Sequence, residues 1–189
     1  MHIGLYFGSF NPIHTGHLII ANHVLGHTDV DKVWFVLSPH NPLKESHTLL
    51  NEYDRLHLLE LAIAGNTKFR ASNVEFSLPK PSYTIDTLTY LKEKFPFEQF
   101  SVVMGGDSYQ NITRWKNYEQ LIAEHRLIVY RRPGFDAPAL PGAQVSFLDA
   151  PMLDISASFI RTEIKAKRSV QYLLPEPVRS YLEDNRTYQ

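Results

Sequence analysis

Short apolar runs alternate with stretches of helical spacing along this chain. Residues 3–7 are apolar and end at Gly8, and residues 15–25 then carry apolar side chains three and four positions apart, which is typical of a helix. The further predicted strands are 32–37, 69–76, 100–104, 127–130 and 145–148. The further predicted helices are 53–64, 82–94 with Ser82 as its N-cap, one around 121–123, 158–167 and 176–183.

Nearly continuous apolar strands separated by helices indicate a parallel sheet with helices on both faces. We therefore predict an α/β fold, Rossmann-like and doubly wound, with a mostly parallel sheet that binds ligands at the carboxyl ends of its strands. No repeat or linker divides the 189 residues, although 132–142 is a loop rich in Pro and Gly. The pattern predicts a single domain over 1–189, in which about 150–189 forms a small C-terminal helical lobe.

The composition argues against several classes of protein. The chain has no Cys, which excludes a disulfide framework, a thiolate zinc site and a cysteine nucleophile. Its 19 Lys and Arg balance 20 Asp and Glu, unlike a protein that coats nucleic acid or an anionic membrane. No apolar run approaches the roughly 18 residues of a membrane span, and the first residues lack a signal-peptide pattern. We expect a cytoplasmic protein.

The loop after the first strand carries the strongest chemical signal. It reads Gly8-Ser9-Phe10-Asn11-Pro12-Ile13-His14-Thr15-Gly16-His17. Gly8 allows a sharp turn and the close approach of a ligand to the backbone. Thr15 is predicted to cap the next helix, whose free amide groups form an anion site. His14 and His17 are three residues apart, so both imidazoles can face one pocket and donate hydrogen bonds to phosphate oxygens.

A second candidate anion site lies far along the chain. It reads Ile155-Ser156-Ala157-Ser158-Phe159-Ile160-Arg161. Two serines at the start of a helix supply amide groups and hydroxyls for an anion, and Arg161 follows within the first turn. The P-loop and the Gly-x-Gly-x-x-Gly string after a strand are both absent from the sequence, which argues against a P-loop kinase and a dinucleotide dehydrogenase.

Both strings resemble signatures of the adenylyl- and cytidylyltransferases of the nucleotidyltransferase α/β-phosphodiesterase superfamily, His-x-Gly-His and Ile-Ser-x-Ser/Thr-x-Ile-Arg. The resemblance implies that His14, His17 and Arg161 are catalytic. It implies ATP binding by Gly8, Ser9, Phe10, His14, His17, Gly105, Asp107, Ser156, Ser158 and Arg161. Asp107, in the string Gly-Gly-Asp-Ser, is expected to meet the ribose. Mg²⁺ would accompany ATP, because the sequence offers no carboxylate cluster as a metal site.

Later strings resemble the pyridine-nucleotide branch of this superfamily, bacterial enzymes that join nicotinate mononucleotide to AMP. They are Pro81-Ser82-Tyr83-Thr84-Ile85-Asp86-Thr87-Leu88, Gly105-Gly106-Asp107-Ser108, Arg114-Trp115, Arg131-Arg132-Pro133-Gly134 and residues 172–178. The resemblance implies that Trp115 stacks on the pyridine ring and that amides at Thr84 and Lys116 hold the carboxylate.

Two basic positions complete the implied substrate site. They are Lys44 and Arg132, with the choice between Arg131 and Arg132 left open. The family's His before the lysine is Leu43 here, in a loop that is one residue shorter.

The resemblance implies transfer of the adenylyl group of ATP to nicotinate mononucleotide in NAD biosynthesis, with direct attack and no covalent intermediate. Three alternatives stay open: an adenylyltransferase for nicotinamide mononucleotide or phosphopantetheine, a nucleotide-binding protein without turnover, and a nucleic-acid module, which the neutral charge disfavours. The expected partners are ATP and nicotinate mononucleotide, with neither nucleic acid nor a membrane. Whether copies of the chain form a homo-oligomer is left open.

Overall fold

Strands and helices alternate in the computed structural model, which describes residues 1–39, 49–135, 138, 140–151 and 153–188. The strands of this described part are β1 (His2–Gly8), β2 (Lys32–Leu37), β3 (Phe69–Ser72), β4 (Gln99–Gly105), β5 (Arg126–Tyr130) and β6 (Val145–Leu148). Its α-helices are α1 (Thr15–His27), α2 (Glu52–Ile63), α3 (Thr84–Lys94), α4 (Gly106–Gln110), α5 (Tyr118–Glu124), α6 (Ala157–Lys165) and α7 (Glu176–Asp184). Lys44 lies outside the described residues.

The strands form one sheet in the order β3-β2-β1-β4-β5-β6, and every neighbouring pair is parallel. The chain leaves the central strand β1 toward β2 on one side and later returns to β4 on the other. The carboxyl ends of β1 and β4 therefore flank a crevice of the kind in which doubly wound sheets bind ligands. The predicted Rossmann-like architecture is confirmed.

Alternate side chains of the strands pack into two apolar cores, one on each face of the sheet. Leu5 of β1 faces the core that is covered by α3, α4 and α5. Tyr6 faces the opposite core, which is covered by α1, α2, α6 and α7. The C-terminal helices contribute Ile160 and Val178 to this second core, both 0% exposed, so the helical lobe shares an apolar core with the sheet, and α7 packs against α2.

The prediction of a strand over 69–76 is wrong for the second half of this range. β3 ends at Ser72, and Val74–Ser77 forms a 3-10 turn. This turn carries Glu75, which is 2% exposed and whose carboxylate accepts hydrogen bonds from the hydroxyls of Ser82 and Thr87 at 2.7 and 2.9 Å. A buried carboxylate needs such donors, and an extended strand would not bring it to them.

The same contact corrects the predicted start of the next helix. Ser82 is not an N-cap, because the helix begins two residues later, and its hydroxyl donates to Glu75 instead. Helix α3 begins at Thr84, and Tyr83 occupies the N-cap position. Among the described residues, none of the helices combines the length and the apolar character that a membrane crossing requires.

Candidate active site

A cavity of about 340 Å³ opens at the carboxyl ends of β1 and β4. Residues from the first and the last quarter of the chain line it together. The predicted site residues in this lining are Gly8, Ser9, Phe10, His14, His17, Asp107, Arg132, Ser156, Ser158 and Arg161. The tertiary structure thus brings both candidate anion-binding strings to one place.

Phe10 shapes the loop between β1 and α1. Its φ of 42° lies in the left-handed region, which costs a side-chain-bearing residue about 1–2 kcal/mol. The ring is 2% exposed, so burial offsets that cost. A Cβ on Gly8 would stand only 2.8 Å from this ring. The loop therefore requires glycine at position 8 because of the close approach of Phe10.

His14 and His17 lie together at the start of α1. Their rings stack, with centroids 3.7 Å apart. His14, and not the predicted Thr15, is the N-cap residue of α1, because Thr15 is already the first helical residue and the backbone of His14 is extended. The Thr15 hydroxyl instead donates to the carbonyl of Tyr172. The backbone N–H of His14 donates to Nδ1 of His17 at 3.3 Å. Since Nδ1 accepts, this bond places the proton of a neutral His17 on Nε2, which is then a donor.

Burial determines the charge of His14. The residue is 6% exposed, and desolvation, reinforced by the positive charge of Arg132, lowers the pKa of its imidazole to about 4. His14 is therefore neutral at pH 7. A neutral imidazole can serve a phosphate as a hydrogen-bond donor but not as a cation.

The second string opens helix α6 and reaches the first string. Ser156 is the N-cap of α6, with Oγ accepting from the N–H of Phe159 at 3.1 Å. Ser158 Oγ accepts from Nη2 of Arg161 at 3.1 Å. Nη1 of Arg161 donates to the backbone carbonyl of Asn11 at 2.7 Å. The predicted serine-capped helix is confirmed, and Arg161 connects it to the loop after β1.

Asp107 and Arg132 form another wall of the cavity. Asp107 lies in the first turn of α4, and its Oδ2 is 3.6 Å from Nη1 of Arg132. Gly105 is outside the cavity lining, but a Cβ at this position would collide with the Asp107 carboxylate. Arg131 instead pairs with Asp149 at 3.4 Å, where both side chains are mostly exposed. The structure therefore places Arg132, and not Arg131, at the cavity.

The residues predicted to hold the second substrate lie outside the lining of this cavity. They are Thr84, Trp115 and Lys116. An ion pair ties two of their segments together, with Nζ of Lys116 2.8 Å from Oδ2 of Asp86 in the first turn of α3. The same Nζ lies 4.9 Å from the centre of the Tyr83 ring. Trp115 is half-buried and packs against the core under α3 and α5. Their role in binding stays a prediction.

Arg55 holds the loops that border the site, a role that the sequence analysis did not predict. It is 0% exposed, and its guanidinium donates to the carbonyls of Ser9, Ser38, Pro39 and Leu50 at 2.8–2.9 Å. It thereby joins the loop after β1 to the end of β2. Its spacing from the two leucines at positions 58 and 59 places it on the buried face of α2, and this signal could have revealed it.

These features define an α/β protein of the nucleotidyltransferase class, with two helix N-termini directed toward one cavity at the centre of the sheet. Comparison with known proteins narrows the class. The chain belongs to the cytidylyltransferase-like family, whose model matches residues 5–163, and within it to the nicotinate-nucleotide adenylyltransferases.

Two curated relatives carry the name probable nicotinate-nucleotide adenylyltransferase. The protein of Cytophaga hutchinsonii is 48% identical over 189 residues, covering 100% of this chain and 98% of its own length. The protein of Flavobacterium psychrophilum is 46% identical over 192 residues, covering 100% of both. The nicotinic acid mononucleotide adenylyltransferase of Plasmodium falciparum, solved with NaAD, has a TM-score of 0.83 at 21% identity, covering 99% of this chain and 97% of that one. The last comparison shows the shared fold.

Proposed function

We propose that this chain transfers the adenylyl group of ATP to nicotinate mononucleotide, which yields nicotinate adenine dinucleotide and pyrophosphate for NAD biosynthesis. The hydrogen bond from Arg161 to the Asn11 carbonyl carries the proposal, because it joins the two phosphate-binding strings at one cavity. The names of the relatives that match the whole chain at 46–48% identity support the same activity.

The reaction is a direct displacement, in which the phosphate of nicotinate mononucleotide attacks the α-phosphorus of ATP and pyrophosphate leaves. Such a reaction depends on positioning and on stabilisation of charge rather than on a protein nucleophile. His14 and His17 donate hydrogen bonds to the phosphates. Ser156, Ser158 and the amide groups at the start of α6 bind the triphosphate, and Arg161 neutralises the charge that develops on the leaving group.

The remaining predicted residues hold the two nucleosides. Asp107 accepts hydrogen bonds from ribose hydroxyls, while Arg132 lies beside it and contacts the substrate. Trp115 stacks on the electron-poor nicotinate ring, and the amides of Thr84 and Lys116 bind its carboxylate. Among the described residues, no group of three or more His, Asp or Glu is placed to hold a metal ion. Mg²⁺ would enter together with ATP and keep most of its waters, as is usual where it binds through substrate phosphates.

Pyrophosphate release tests the proposal directly. ATP and Mg²⁺ are supplied with nicotinate mononucleotide, nicotinamide mononucleotide or phosphopantetheine in parallel. Strong release with the nicotinate compound alone is the expected result. Equal release with the amide would assign a dual specificity, and release with phosphopantetheine alone would replace the proposed substrate. The absence of pyrophosphate release with all three acceptors would contradict the proposed activity.

His17→Ala is expected to lower kcat about 10²–10³-fold, because it removes a donor that acts mainly on the transition state. The measurement is steady-state pyrophosphate release at saturating substrates. His27→Ala on the same helix, where the side chain is exposed, is the matched control and is expected to retain wild-type turnover. A His17→Ala variant as active as this control would remove the histidine from the mechanism.

A further inference from the structure

The last described residue of the chain reaches back to the loop after β1. The Tyr188 hydroxyl donates to Oδ1 of Asn11 at 2.5 Å. The backbone N–H of Leu50 donates to the same oxygen at 3.2 Å. Tyr188 is half-buried against the core beneath α1 and α7, and its φ of 65° is disfavoured for a residue with a Cβ. Side-chain contacts therefore hold the tail in this conformation.

Asn11 transmits this contact to the cavity. Its side-chain oxygen has two lone pairs, which match the donors from Tyr188 and Leu50. Its backbone carbonyl accepts from Arg161 at 2.7 Å, and the same guanidinium also contacts Ser158. The Arg161 guanidinium is thus held between the Asn11 carbonyl and the Ser158 hydroxyl, at the serine-capped start of α6.

The Tyr188 hydroxyl stays protonated and can donate this hydrogen bond at any pH near neutral. Burial raises the pKa of its hydroxyl well above the ordinary value, although the positive charges of Arg161 and Arg55 oppose the shift. The hydroxyl therefore keeps its proton throughout the neutral range. Tyr188 is not among the residues that line the cavity, and the hydrogen bond of its hydroxyl to Asn11 is the contact by which it reaches the loop after β1.

We propose that Tyr188 is a positioning residue for adenylyl transfer, and that the C-terminal tail orients the loop after β1 and the Arg161 guanidinium through its hydrogen bond to Asn11. The inference rests on the proposed function for its catalytic consequence. Groups that stabilise a transition state act through their exact placement, so a loosened loop lowers kcat more than it raises the KM for ATP.

The variant Tyr188→Phe removes the hydroxyl and keeps the ring. We expect kcat to fall about 10-fold, with the KM for ATP within about 2-fold of wild type. Tyr181→Phe removes a hydroxyl from α7 in the same lobe and is the matched control, expected to retain wild-type kinetics. Wild-type kcat in Tyr188→Phe would overturn the proposal, as would a loss of activity that merely follows a loss of folded protein.

A double-mutant cycle separates positioning through Asn11 from other effects. Asn11→Ala is expected to lower kcat, and adding Tyr188→Phe to it is expected to change kcat no further. Full additivity of the two losses would overturn the proposed route.

Hydrogen exchange tests the same contact without the reaction. We expect the backbone N–H groups of residues 9–11, 13 and 14 to exchange about 10-fold faster in Tyr188→Phe than in Tyr181→Phe. Equal exchange would contradict the positioning role. If wild type releases no pyrophosphate, the proposed function fails, whereas the exchange experiment still decides whether Tyr188 holds the loop.

Discussion

Among single residues, His14 links the cavity to the pH dependence of stability. Its folded-state pKa is about 4, whereas a histidine in the unfolded chain titrates near 6.5. Between these two pH values the unfolded state binds more protons than the folded state. Stability therefore falls as the pH drops through this window, and above about pH 6.5 the effect is absent.

His14→Asn is expected to remove this dependence. Between pH 7 and pH 4, the free energy of unfolding of wild type should fall by about 2–3 kcal/mol more than that of the variant. Denaturant titrations at several pH values measure both slopes. His27→Asn, at an exposed position of the same helix, should keep the wild-type slope. Parallel slopes for wild type and His14→Asn would show that His14 is not buried as a neutral group.

Trp115→Ala is expected to raise the KM for nicotinate mononucleotide about 10-fold and to leave the KM for ATP nearly unchanged, because stacking on an aromatic face contributes about 1 kcal/mol beyond burial. The measurement is initial rate against each substrate in turn. Phe97→Ala, at a position that is 94% exposed, is the control for loss of an aromatic ring. An unchanged KM for nicotinate mononucleotide would favour an acceptor without a pyridine ring.

Among the elements, α2 contributes a buried cation that holds loops together. Arg55 extends from this helix to carbonyls at the ends of β1 and β2, and burial lowers the pKa of its guanidinium. The four carbonyls would lack these donors in Arg55→Met. Because a buried acceptor without a donor costs free energy, the helix and the loops depend on one side chain.

Arg55→Met is expected to lower the free energy of unfolding by about 3 kcal/mol, because one buried and three partly buried carbonyls lose their donors at once. Urea unfolding measures this loss. The exposed cation at Lys68 offers a control, and Lys68→Met should stay within about 0.5 kcal/mol of wild type. A similarly small change in Arg55→Met would show that water replaces the guanidinium at these carbonyls.

The pattern of apolar positions predicted most elements well. β2 and β6 have the predicted bounds. In β2 the five residues after Lys32 are apolar and buried, the pattern of a central parallel strand, whereas β6 is a half-buried edge strand that a short apolar run still revealed. The 3-10 turn at Val74–Ser77 escaped prediction. This turn forms because the carboxylate of Glu75 is buried against the hydroxyls of Ser82 and Thr87, which lie further along the chain. The spacing of apolar residues cannot predict such a contact, because it reflects only neighbouring positions.

At the level of the whole molecule, the C-terminal lobe and the cavity share one core. Val178 and Leu182 of α7 belong to the same apolar cluster as Phe10 and Ile13 of the loop after β1. A shared core couples the stability of both parts, since neither can expose its surface without the other. The chain is therefore expected to unfold in a single transition, as predicted for a single domain.

Leu182→Ala is expected to lower the free energy of unfolding of the whole chain by about 2–5 kcal/mol through the cavity it leaves. Calorimetry should show one transition at a lower Tm, with activity lost in the same temperature range. Phe97→Ala, at the exposed position already used as a control, should melt like wild type. A separate early transition in Leu182→Ala would instead indicate a lobe that unfolds independently.

The sequence by itself determined the alternation of strands and helices and the two candidate phosphate-binding strings. It could do so because burial along a strand, and donors clustered at a helix start, are properties of neighbouring residues. Only the tertiary structure decided that Arg132 rather than Arg131 faces the cavity, that Arg55 joins two loops, and that Tyr188 reaches Asn11. These assignments depend on contacts between residues far apart in the chain, and such contacts exist only once the strands have paired and the helices have packed.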